Sequence, residues 1–186
     1  SRKVHKMKLL LKFNLIFVLV FAAGLAVTAY IARDLLRANA EAEVAGNARL
    51  LMESAVAART FTSNQIAPLL QTQMKYTFLP QSVPAYSATE VFNGLRQKHT
   101  EYSYKEAVLN PTNPRDRVVD WEADVVRNLR DHPDLKEVVG QRSTPAGQSL
   151  FLARPIRIND GKCLACHSTP AAAPATLRAR YGDSNG

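Results

Sequence analysis

Residues Leu9 to Ala32 read LLLKFNLIFVLVFAAGLAVTAYIA, an apolar run interrupted only by Lys12, Asn14 and Thr28. About 20 apolar residues span the hydrocarbon core of a bilayer as a helix, so the run predicts a transmembrane helix over 9–32. From Arg33 to Ile66 the chain is rich in Ala, Glu, Leu and Arg, with Gly46 its only glycine and no proline before Pro68. That composition predicts a long helix over about 33–70, continuous with the membrane segment. Leu36, Ala40, Val44, Ala48, Leu51, Ala55 and Ala58 recur every three or four positions. They form a weakly apolar stripe, suited to packing on the following domain or to self-association with a second copy. Pro68 should limit or kink the helix.

Beyond it the pattern shortens. Gln71 to Tyr86 reads as an irregular connector punctuated by Pro80 and Pro84. Ser87-Ala88-Thr89-Glu90 has the form of a capping box, with Ser87 at the N-cap, and predicts a helix to about Lys98. Tyr102 to Leu109 predicts a strand, and the loop NPTNPRD, Asn110 to Asp116, is dense in turn residues. A helix is expected from Asp116, with Val118, Val119, Val125, Val126 and Leu129 on one face and Trp121 beside it, ending near His132-Pro133. Glu137 to Arg142 and Ser149 to Ile158 then predict a hairpin around Thr144-Pro145-Ala146-Gly147. The fold class is α+β, although two or three strands are few for a complete sheet.

Charge adds topology. The net charge is +8, and Arg2, Lys3, Lys6, Lys8 and Lys12 precede the first acid, Asp34. A basic N-terminus before an apolar run follows the positive-inside pattern, so residues 1–8 are expected in the cytoplasm of a bacterium and everything from Arg33 in the periplasm. The basic residues do not interleave with aromatics on a folded face, so a nucleic-acid partner is not expected. Ala38-Asn39-Ala40 offers a signal-peptidase pattern. Against cleavage stand an apolar stretch longer than a signal h-region and the charges Arg33, Asp34 and Arg37 before that site.

Both cysteines lie in GKCLACHSTP. Cys163-Leu164-Ala165-Cys166-His167 is the C-x-x-C-H pattern of c-type haem attachment. Two thiols one helical turn apart can add across the two vinyl groups of a porphyrin, and the adjacent imidazole can ligate iron from below. A zinc half-site would need two further ligands, with His99 and His132 the nearest candidates. A thioredoxin-like pair would not require the histidine, and a disulfide closing so small a loop would contribute little. One covalent haem c is therefore the expected cofactor, with His167 as the proximal iron ligand. Met52, Met74, His99 and His132 are the candidates for the opposite face. Arg115, Arg117, Arg154 and Arg157 are candidates to compensate the propionates. No distal acid–base constellation is legible, so enzyme activity is not expected, although Arg154, Arg157 and Tyr104 could lie near the pocket.

With these residues in view, the chain resembles the Tll-type c-type haem sensor family, PAS-like in fold. The likeness is carried by ARTFTSNQIAPLL (58–70), YSYKEAVLNPTNPRDR (102–117), DWEADVV (120–126) and CLACHSTPAAAP (163–174). It implies that residues 71–186 form a PAS-like, haem-binding exported domain of helices and a small antiparallel sheet, with Cys163 and Cys166 as attachment sites and His167 as proximal ligand. Relatives that use a distal cysteine thiolate have no counterpart here, because no third cysteine exists. Relatives also continue past a segment like RYGDSNG, so the sheet is expected to be truncated at Gly186. The implied role is a redox or gas-sensing haem domain anchored in the inner membrane. The alternative is an electron-transfer subunit beside a larger respiratory or photosynthetic membrane complex.

Overall fold

The computed structural model describes residues 9–145 and 147–183. The segment expected in the cytoplasm, 1–8, the turn residue Ala146 and the end of the tail lie outside the described residues. The chain divides into two compact units, Ser1–Gly46 and Asn47–Gly186.

Helix α1, Leu9–Phe61, contains 53 residues. Its N-terminal part is long and apolar enough to cross a membrane and has none of its surface buried within the molecule. A helix satisfies its own backbone groups, which a lipid environment demands. Thr28 follows the same rule: its hydroxyl donates to the Gly24 carbonyl at 2.9 Å.

In the second unit α1 passes into a π-helical turn, Thr62–Ile66, and then a short helix α2, Ala67–Leu70. Pro68 explains the change of pitch. It has no N–H to return to Asn64, and its ring would collide with that carbonyl in a regular α-helix. The wider π turn absorbs the conflict without ending the helical path.

Helix α3 is Pro84–Arg96, which corrects the expected start at Ser87. Pro84 occupies the first turn, where a missing N–H costs nothing and the fixed φ suits a helix. Ser87 is already inside, its N–H bonded to the Val83 carbonyl. Ala55 of α1 and Ala88 of α3 are both fully buried and form the core with Phe92. The small side chains let aromatic surface close over them: Phe92 stacks on Tyr104 at 4.7 Å between ring centroids. Burying a phenylalanine side chain contributes about 1.5–3 kcal/mol, and the stripe residues Leu51 and Ala55 thus pack within the chain.

Tyr102 to Leu109 does not form the expected strand. The segment is extended, but its only ladder is an isolated parallel bridge between Val108 and Arg117. Val108 N–H donates to Asp116 O at 2.9 Å and Val118 N–H to Val108 O at 3.2 Å. Pro111 and Pro114 lack the donors that would continue the pairing, and Pro114–Asp116 turns as a 3-10 helix. Helix α4 consequently begins at Asp120, not Asp116, and runs to Asp131. Its first turn is held by Glu122, whose carboxylate accepts from the Val119 N–H at 2.9 Å.

Strands β1, Val138–Thr144, and β2, Gly147–Ala153, form the antiparallel hairpin. The register runs from Thr144 opposite Gly147 to Val138 opposite Ala153. Gly147 supplies a φ of +116° beside the turn, which suits glycine. The second strand stops at Ala153, short of the expected Ile158, because β1 has no residue left to face it. Helices α5, Gly161–His167, and α6, Ala175–Tyr181, follow. The sequence pattern does not predict α6. It is held by buried Leu177, by Tyr181 edge-on to Phe78 at 5.6 Å, and by the Thr176 hydroxyl donating to Met74 O at 2.7 Å. The architecture is mostly helical α+β, with one two-stranded sheet among the described residues.

Candidate functional site

Helix α5 presents the cysteine motif. The Asp160 carboxylate caps it by accepting from the Lys162 N–H at 2.8 Å. Cys163 and Cys166, three residues apart, fall on one face of this helical turn, and His167 follows in the last turn. All three are half-buried and line one cavity of about 1820 Å³. The two sulfurs are not joined in a disulfide. Burial pushes the Cys166 thiol above its ordinary pKa, with Cys163 adding to the shift. Lys162, on the same helix, donates from Nζ to Asn64 Oδ1 at 2.7 Å and so ties α5 to the π turn.

The second unit's stretch of α1 and the π turn give one wall through Met52, Val56, Arg59 and Ser63. Their spacings of four, three and four residues place them on one helical face. Opposed surfaces come from Trp121, Val125 and Leu129 of α4 and from Leu150 and Leu152 of β2. Trp121 carries Phe151 at 5.3 Å on one side and the Arg142 guanidinium at 4.1 Å from its ring centroid. Gly140 is what admits Phe151, since a Cβ there would meet the ring at 2.6 Å.

The four candidates for a distal ligand separate. Met52 and Met74 line the cavity, whereas His99 and His132 do not. Both of those histidines are exposed, with Nδ1 of His99 at 3.4 Å from Glu101 and Nδ1 of His132 at 3.0 Å from the Asn128 carbonyl. The Met74 sulfur already accepts from the Leu79 N–H at 3.0 Å and the Ser82 hydroxyl at 3.4 Å. Met52 is the candidate on the long-helix wall.

Among the arginines, Arg115, Arg154 and Arg157 line the cavity and Arg117 does not. Arg154 bridges Glu53 and Glu137, whose carboxylate also accepts from Arg49 Nε at 2.9 Å. Burial acts against ionisation of Glu137, but the hydrogen bonds from Arg49 and Arg154 prevail and hold its pKa below the ordinary glutamate value. Arg157 donates to the Pro133 carbonyl. Arg115 is fixed by Thr89 Oγ1 at 3.2 Å and by Asp116 at 3.3 Å.

Sequence reasoning missed a polar chain on the same wall. Arg59 pairs with Glu106, whose other oxygen accepts from the Tyr104 hydroxyl at 2.9 Å. Burial first, then the Glu106 charge, raises the Tyr104 pKa far beyond neutrality, so the phenol stays a donor. It also missed Thr112, whose hydroxyl oxygen is buried with no hydrogen-bond partner among the described residues. Tyr104 is among the residues that the sequence suggests near the pocket, and it lines the cavity; for Arg59, Glu106 and Thr112 the one available signal was position, since they fall inside the stretches 58–70 and 102–117 that carry the family likeness.

Residues 37–186 match the Tll0287-like family. The match covers most of the chain and all of the cavity wall, and the chain belongs to that family. No curated protein and no solved structure matches it.

Proposed function

We propose that this protein is a membrane-anchored, single-haem c-type protein whose exported domain, of the PAS-like kind, senses redox state or a small gas. The observation that carries the reading is the convergence of Cys163, Cys166 and His167 on one large cavity. A macrocycle also needs apolar walls and polar anchors, and the site has Trp121, Leu129 and Leu150 for the first, Arg115 and the unpaired Thr112 hydroxyl for the second. Cys163 and Cys166 would hold the haem as thioethers and His167 would ligate its iron. Bound haem supplies a one-electron couple and an exchangeable coordination position. A zinc site would need two ligands besides Cys163 and Cys166, whereas His167 directly after the cysteine pair suits the haem reading.

The chain's own residues supply the response. Lys162 ties the haem-bearing helix to Asn64 in the π turn, and that turn continues α1. A change in charge or ligation at iron would act on α5 and, through this bond, on the long helix. The basic N-terminal residues support a cytoplasmic N-terminus and a periplasmic haem.

The second reading, an electron-transfer subunit beside a larger membrane complex, draws on Met52, which stands on the cavity wall. A thioether there would complete six coordination. Optical spectra of the oxidised, reduced and carbon monoxide-treated protein decide between them. Ready binding of carbon monoxide by the reduced protein supports sensing, whereas a six-coordinate spectrum that resists the gas and changes in Met52→Ala supports electron transfer.

A further inference from the structure

We propose that Thr112 is a haem-anchoring residue, its hydroxyl hydrogen-bonded to a propionate carboxylate; the inference rests on the haem reading above. The hydroxyl oxygen is buried and unpartnered among the described residues, and Thr112 lines the same cavity as Cys163, Cys166 and His167. An unsatisfied buried hydroxyl costs about 1–3 kcal/mol, a cost that a ligand carrying an acceptor removes.

The neighbouring residues specify that acceptor. Three positions along the loop, Arg115 also lines the cavity. Its guanidinium is held by Thr89 Oγ1 at 3.2 Å and the Ala85 carbonyl at 3.4 Å, and lies 5.9 Å from the Tyr86 ring centroid. Asp116 at 3.3 Å and Glu90 at 3.9 Å already pair with it and fix its position. Asn113 accepts from the Arg115 N–H at 3.2 Å, and Pro111 and Pro114 stiffen the loop. A fixed cation and an unpaired hydroxyl on one rigid loop suit a carboxylate, which takes charge-assisted hydrogen bonds. A porphyrin offers carboxylates only at its two propionates.

The test uses the full-length, haem-loaded protein and its Thr112→Val and Thr112→Ser variants. Valine keeps the volume and removes the hydroxyl; serine keeps the hydroxyl. Thr112→Val is expected to shift the propionate bending band in the resonance Raman spectrum. Loss of the hydrogen bond leaves more negative charge beside the iron and favours the ferric state. The ratio of oxidised to reduced protein at the wild-type midpoint should rise by up to about tenfold. Thr112→Ser should restore both readings, and the C–O stretch of the carbon monoxide complex should stay unchanged in both variants. Thr112→Ala serves as the second hydroxyl-free variant and should repeat the valine result. Wild-type band and ratio in both hydroxyl-free variants would overturn the assignment, as would a shifted C–O stretch with an unmoved propionate band, which places the hydroxyl at the iron. Failure of the haem reading itself looks different: the wild-type protein would then carry no covalent haem by mass.

Discussion

Gly140 faces Phe151 in the hairpin register, and the ring occupies the space a side chain at 140 would need. Gly140→Val should therefore push Phe151 away from Trp121, destabilise the fold by about 1–3 kcal/mol as other overpacked sites do, and red-shift Trp121 fluorescence as the indole gains solvent exposure; urea unfolding followed by that signal checks both. Glu137 yields a prediction with a sign. Its carboxyl pKa is lowered in the fold, so its contribution is present above the unfolded value and is lost as pH falls through the folded one. Glu137→Gln should cost about 1 kcal/mol at neutral pH and nothing once the medium is acidic enough to protonate the wild-type carboxyl. Parallel urea titrations from neutral to acid pH would show the two curves converging, and a constant gap would contradict the assignment. In protein prepared without haem, alkylation of Cys166 should begin at higher pH than that of an ordinary cysteine, because burial disfavours its thiolate. Peptide mass spectrometry of the alkylated protein reads this directly.

The elements show how far local pattern reached. The apolar run, the Ala- and Glu-rich helix, the hairpin and the end of α4 at Asp131 were legible, because each rests on composition or turn chemistry within a few residues. Ser87 and Tyr102–Leu109 were misread for a common reason. Pro84 began the helix one turn earlier than the Ser87-x-x-Glu90 pattern suggested, and the prolines of the 110–116 loop withheld the donors that a strand would have needed. If Asn64 in the π turn is the lever on which α5 acts through Lys162, Asn64→Ala should leave haem attachment intact and abolish the haem-dependent change at a spin label on an exposed α1 position such as Thr60. An undiminished change in that variant would require another route.

At the scale of the molecule, the cavity draws its wall from segments more than 100 residues apart, such as Met52 and Cys163. No spacing rule brings those together. The cysteine motif was readable because its residues occupy five consecutive positions, whereas Arg59, Glu106 and Thr112 gain meaning only from tertiary placement. The family match over residues 37–186 covers that assembled wall. Haem attachment at Cys163 and Cys166 is the claim on which the sensing, ligand and propionate assignments all depend. Its most direct test is the intact mass of the full chain matured in a bacterium with a c-type attachment system, beside Cys163→Ala/Cys166→Ala. The account predicts a gain of one haem that survives denaturation in the wild type and no gain in the double variant. A wild-type mass equal to that of the bare polypeptide would contradict it.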